Sequence, residues 1–330
     1  IIMKLITKLV TSALLVSTIN ASDINVYQTT DSKAINYQTV GAMFKSMNYS
    51  VEAVSKLDGK FKKKFKDTTF DKFKIMAVQE KSLSEKLIAK YPDAGAFIPF
   101  SVVLQSYKNN DNVTFTTLNT DTMAKVLGAN KNDKLFTRLK TKTNKVATMF
   151  GFDTSKPTSF DYSVVKPQGP LLYKKEISSK DANKLAEKLI GTMKKHKFSI
   201  VNELDLKKEF ASVNSKYEFY KSFSICKVKV LYLAVQTRPE AAAFAPCSLA
   251  IYKTKGSDKV TIVFPSTYNC GTVVCPVTAF RLTLVASVPK TISSKAMPLS
   301  FNAAFAFAQK GQPGLVNNVT AEGAFAFALM

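Results

Sequence analysis

Apolar and polar residues alternate along LLYKKEI (171–177), which predicts a β-strand. The period then lengthens. Leu185, Leu189 and Met193 recur at i, i+4 and i+8, so a helix follows, capped by Ser178 or Ser179 and running to about Lys197. SIVNELDL (199–206) and FYKSFSICKV (219–228) return to strand character. VLYLAVQTRPEAAAF (230–244) reads as a short helix. SLAIYKT and KVTIVF then read as a hairpin turned by Gly256, Ser257 and Asp258.

The same pattern occurs earlier in the chain. FIPFSVVLQSYKNNDNVTFTT (97–117) and FAPCSLAIYKTKGSDKVTIVF (244–264) align without gaps and share seven of 21 positions, among them Pro99 with Pro246 and Asp111 with Asp258. Upstream, YSVEAV (49–54) matches FSIVNE (198–203), and DKFKIMAVQ (71–79) matches KSFSICKVK (221–229). Repetition on this scale decides architecture before any motif does. The expected fold class is α+β: two similar β-α-β-β-α-β-β domains in tandem, each a small sheet with helices packed on it. The boundaries are 22–128 and 171–268, with a Lys-, Thr- and Pro-rich linker over 129–170.

The stretches KHKFSIVNELDL (195–206), SICKV (224–228) and RPEAAAFAPCSLAIYK (238–253) resemble the DUF302 family, a bacterial domain of unknown function. The resemblance implies one cysteine on the third strand and another at the start of the next. Cys226 and Cys247 fall on those positions, although Lys227-Val228 stands where the family carries Asn-Pro. In the first copy Met76 and Phe100 are matched to the two cysteines. The resemblance also implies pairing of single domains, so a tandem chain would form its own internal pseudo-dimer and could be monomeric.

At the N-terminus, initiation at Met3 would place Lys4 and Lys8 ahead of an apolar stretch, Leu9 to Ile19. That is the pattern of a secretory signal over 1–21 with cleavage after Ala21, which predicts a periplasmic or secreted protein. Export makes nucleic acid an unexpected partner, despite a formal charge of +23 from 47 Lys and Arg against 24 Asp and Glu. At the other end, residues 269–330 carry Glu322 as their sole acid and repeat AFAFA at 304–308 and 324–328. That tail reads either as a strand-rich or irregular extension, or as sequence whose frame was lost near Asn269.

Candidate chemistry is sparse. Four cysteines stand at 226, 247, 270 and 275, and an oxidising compartment allows them three pairings. The family positions favour Cys226 with Cys247 as the thiol pair, which could be a disulfide, a redox couple or two buried small hydrophobes. No CxxC or CxxCH occurs, and His196 is the single histidine, so no metal or cofactor is expected. No catalytic residue is assigned. In FKKKFK (61–66), Lys62, Lys63, Lys64 and Lys66 could contact an anionic surface, or the segment could be a short helix burying Phe61 and Phe65. The expected function is therefore non-enzymatic binding of a small or lipid-like ligand in or between the domains. Two alternatives stand beside it: thiol-dependent redox or metal handling by Cys226 and Cys247, and docking on an anionic envelope component.

Overall fold

The computed structural model describes residues 24–265 apart from 31–34, 131, 156, 158–171 and 238. The stretch read as a signal over 1–21, Cys270, Cys275 and the C-terminal tail lie outside these residues. The first half runs β1 (Ile24–Thr29), α1 (Tyr37–Ser46), β2 (Ser50–Lys56), α2 (Leu57–Phe65), β3 (Phe70–Gln79), α3 (Lys81–Lys90), a 3-10 helix (Pro92–Phe97), β4 (Phe100–Tyr107) and β5 (Val113–Leu118). It continues with α4 (Thr120–Val126) and α5 (Lys134–Met149). The second half repeats the order as β6 (Leu172–Ser178), α6 (Ala182–Lys195), β7 (Ser199–Asp205), α7 (Leu206–Glu209), α8 (Ala211–Lys216), β8 (Tyr217–Cys226) and α9 (Val228–Thr237). A second 3-10 helix (Pro239–Phe244), β9 (Cys247–Thr254) and β10 (Lys259–Pro265) complete it. Each half holds one antiparallel five-stranded sheet, ordered β1-β5-β4-β3-β2 and β6-β10-β9-β8-β7. The α+β tandem architecture is the one the periodicities predicted.

Three local expectations are corrected. Helix α6 is capped by Asp181, whose side chain accepts from the Lys184 amide at 2.9 Å, because Ser178 is still paired with Lys259 in the ladder. The segment 230–244 is two elements rather than one helix: α9 ends at Thr237, and a 3-10 helix begins at Pro239, which has no amide hydrogen to continue the α-helical ladder. The stretch read as a linker over 129–170 begins with structure, since α5 buries Phe136, Leu139 and Val146 in the core of the first half. Two carboxylates hold α5 there. Asp133 caps it and accepts from Lys90 at 2.6 Å and Tyr91 at 2.5 Å. Burial works against the Asp133 charge, but these hydrogen bonds outweigh it and hold the carboxyl at about 2. Glu80, 3 % exposed, accepts from Arg138 at 3.3 Å, from Lys142 at 2.6 Å and from the amide of Leu83.

Each sheet has two faces that need cover. Helix α1 and α5 shield one face of the first sheet, where Val78, Val102, Leu104 and Phe115 lie, and α6 shields Phe223, Ile225, Leu249 and Ile251 of the second. The remaining faces are covered by the other half. Val228, Leu231, Val235 and Ala242 of the second half pack with Phe73, Ile75 and Val103 of the first. Reciprocally, Leu83, Leu87, Ala94 and Ala96 belong to one continuous cluster with Tyr217, Tyr220, Ala250 and Tyr252.

The second contact is the more polar. Tyr220 donates to the carbonyl of Pro92 at 2.5 Å and accepts from the amide of Gly95 at 3.2 Å. Ser222 donates to the carbonyl of Gly95 at 3.1 Å, and Tyr252 donates to Asp93 at 2.6 Å. Gly95 is required by this approach: a Cβ there would lie 2.6 Å from the Tyr220 oxygen.

Two stability outcomes follow from these contacts. Glu80→Ala removes the partner of two cations and a helix-end amide. It should cost about 2–4 kcal/mol in denaturant unfolding, at the low end because Arg138 remains half solvated; a loss below about 0.5 kcal/mol would show that Glu80 does not hold α5. Gly95→Ala should cost about 1–3 kcal/mol by overpacking against a tyrosine fixed on both sides. Adding Tyr220→Phe should bring the double variant below the sum of the two single losses, whereas strict additivity would contradict the contact.

Candidate functional site

The two ladders have matching irregularities, and these set the correspondence between the halves. Strand β2 starts with Ser50 opposite Gln79 and slips between Val51 and Ala53; β7 starts with Ser199 opposite Cys226 and slips between Ile200 and Asn202. The β3–β4 and β8–β9 ladders slip after Phe70 and Tyr217 respectively. Cys226 therefore corresponds to Gln79, 147 residues earlier, and not to Met76. Phe100 keeps its place opposite Cys247, since Val78 faces Phe100 as Ile225 faces Cys247. The correction changes the chemistry. The counterpart of Cys226 is a fully buried amide whose Oε1 has no hydrogen-bond partner and whose Nε2 lies 3.5 Å from Glu209 of the other half. No periodicity could have singled out Gln79, because its significance lies in the other half's α7.

Cys226 and Cys247 are both free thiols. Cys247 faces Ile225 across the ladder and joins the apolar cluster beneath α6. Cys226, one residue on, belongs to the opposite face of the sheet, where it packs among Leu57, Phe61 and Val228 at the junction of the halves. Burial pushes the Cys226 thiol up to about 11, against the lowering influence of Lys60 and Lys64 of the first half. Burial, then the neighbouring Cys226, pushes Cys247 to about 12. Thiols raised this far supply almost no thiolate at neutral pH. Among the described residues, no three His, Cys, Asp or Glu side chains are placed to share a metal ion.

The lysines of FKKKFK are arranged differently. Helix α2 turns Phe61 and Phe65 onto Tyr232 of the second half, with ring centroids 5.0 and 4.0 Å away. Lys62, Lys63 and Lys64 are exposed on the same helix, and Lys66 follows as its C-cap with φ 60°. Among the described residues, none of the four has a carboxylate partner within ion-pair distance. The acids that flank the segment in sequence are engaged elsewhere: Asp58 with Lys74, and Asp67 with the Thr69 amide and Gln236. The structure thus gathers Cys226 beside α2 and turns it to the opposite face of the sheet from Cys247, its diagonal neighbour across the ladder.

Comparison with known proteins falls on the second half. Residues 173–272 match a family: domain of unknown function DUF302. That match leaves the first half uncovered. Among solved structures, the crystal structure of an uncharacterised conserved DUF302 protein from Bacillus stearothermophilus is similar at 16 % identity, over 30 % of this chain and 77 % of that one, with a TM-score of 0.27. No curated protein matches the chain. No helix among the described residues is long and apolar enough to cross a membrane.

The thiols of a Cys270→Ser/Cys275→Ser background should show no thiolate absorbance at 240 nm below about pH 9.5, rising only towards pH 11, because desolvation favours the neutral form. A transition near pH 7 would instead mark an activated cysteine.

Proposed function

We propose that this is an exported, non-enzymatic interaction protein, built from two DUF302-like domains, that docks on an anionic envelope component through the lysine face of α2. One observation carries the reading. The helix turns both of its aromatic side chains inward, onto Tyr232 of the second half and, for Phe61, also onto Phe73, and leaves Lys62, Lys63, Lys64 and Lys66 with no carboxylate partner among the described residues. Unpaired cations held on a fixed element attract an anionic surface, by about 1 kcal/mol each at low salt. Kinship of the first half to DUF302 rests on its matching ladder slips and strand order. Export rests on the signal pattern over 1–21.

The other readings have less to stand on. A surface depression of about 380 Å³ beside Lys90, Tyr91, Asn130, Asn132, Asp133 and Lys134 is lined by charged and amide side chains with a single aromatic ring, and a cavity bounded by Asn25, Thr117, Thr120, Met123 and Asn144 offers about 20 Å³, room for one water molecule; neither suits a lipid-like ligand. The seam at the first 3-10 helix is closed by Tyr220 against Gly95. Redox work would require a thiolate that burial suppresses at both cysteines.

The full chain should co-sediment with envelope fragments at 50 mM salt and be released by a few hundred millimolar, as screening shortens the reach of surface charge. The quadruple variant Lys62→Gln/Lys63→Gln/Lys64→Gln/Lys66→Gln should bind at least tenfold more weakly. Undiminished binding by that variant, or retention at 0.5 M salt, would sink the reading.

A further inference from the structure

We infer that the docking face is composite: the lysines of α2 continue, across the junction of the halves, into a second set on the second half, and together they fit a linear phosphate-bearing polymer. This rests on the function proposed above and extends it to a surface that neither half owns alone.

The continuity is a chain of neighbours. Lys60 and Lys64 of α2 are the cations whose charge bears on Cys226. The next residue, Lys227, places its ammonium 5.3 Å above the ring of Phe198. Phe198 follows Lys197, which has φ 67°, and donates its amide to Met193 in the last turn of α6, so Lys194 and Lys195 stand at the same place. Lys229 adds a further charge on the first turn of α9, and with burial it lowers the Lys227 ammonium from its usual range. Lys194, Lys195, Lys197 and Lys229 are exposed, and among the described residues none of these lysines has a carboxylate within ion-pair distance. The acids on the adjoining strand are set apart or paired: Glu203 holds Lys221 and Asp205 holds Lys208.

Pseudo-symmetry shows that this clustering is particular to one end of the molecule. Phe61 and Phe210 occupy corresponding places, 149 residues apart, so Lys60 corresponds to Glu209 and Cys226 to Gln79. At the Gln79 end Glu209 pairs with Lys81 at 2.7 Å, and Glu80 neutralises Arg138 and Lys142. At the Cys226 end the corresponding positions hold Lys60 and Lys227, and no carboxylate among the described residues pairs with them.

The chemistry of the face selects its partner. A membrane-surface helix needs an exposed apolar side to enter the lipid boundary. Here Phe61 is buried, Phe65 is stacked on Tyr232, and Phe198 lies under Lys227. Every cation named is a lysine, which binds phosphate as a point charge rather than through the planar fork by which arginine grips a carboxylate or a phosphate in two contacts. Point charges strung across two halves suit singly charged phosphates spaced along a chain.

The test uses the full chain and long-chain inorganic polyphosphate, with affinity followed against salt. The variant Lys194→Gln/Lys195→Gln/Lys197→Gln/Lys227→Gln/Lys229→Gln should bind at least tenfold more weakly. It should also flatten the slope of log K against log salt by about two or more, since each lost phosphate contact removes about 0.7–0.9. Lys108→Gln/Lys255→Gln, on the two hairpin tips, should bind like the parent and controls for net charge. If the five-lysine variant binds like the parent while the α2 variant fails, the composite face is wrong and the α2 reading survives. If neither variant changes envelope or polyphosphate binding, both readings fall. Tighter binding to vesicles with 30 % phosphatidylglycerol, or to single-stranded DNA, than to polyphosphate would overturn the polymer assignment.

Discussion

A β-sheet whose two faces are both apolar cannot be finished by helices on one side, and this constraint organises the whole chain. Each half supplies helices for one face of its own sheet. Each covers the other half's remaining face with a helix and a 3-10 segment reached through Glu80 or Lys227. Neither sheet is complete without the partner half, so the repeat in the sequence is a single packing unit rather than two beads on a string. The tight approach at Gly95 and the alanines of the second 3-10 helix (Ala241, Ala242 and Ala243) follow from that reciprocity, since larger side chains would hold the segments off the sheets.

The two contacts are geometrically alike and chemically different. One is lined by hydroxyls that satisfy the carbonyls of a 3-10 turn, with Asp93 held between Tyr252 and Lys174. The other is apolar, with Phe65 stacked on Tyr232 and Phe61 meeting the same ring edge-on. Divergence of this kind is affordable in a fused pair because each position has to satisfy only one partner. It also leaves charge unevenly distributed: carboxylates neutralise the cations at the Gln79 end, and lysines accumulate at the Cys226 end.

The fold was largely legible in the sequence and the candidate site was not. Period-2 runs and the i, i+4, i+8 face of Leu185, Leu189 and Met193 marked strands and helix directly. The match of Met76 to Cys226 failed because strand identity at one-letter resolution tolerates a slip of three residues, whereas bulges at Val51/Ala53 and Ile200/Asn202 fix the true register. The cap of α6 was misplaced for a related reason: Ser178 is a good capping residue, but its backbone was already committed to the ladder.

By itself the sequence determined the class of the fold, the two halves and which residue types each could bury, because hydrophobic period is a local property of the chain. Tertiary structure alone decided that Gln79 answers to Cys226, that the two cysteines point to opposite faces, and that Phe61 and Phe65 leave the surface to the lysines around them. The first two outcomes depend on ladder register within each half, between residues 22 to 29 positions apart, and the third on Phe65 meeting Tyr232 of the other half, 167 positions away; none of these is a property of the local period.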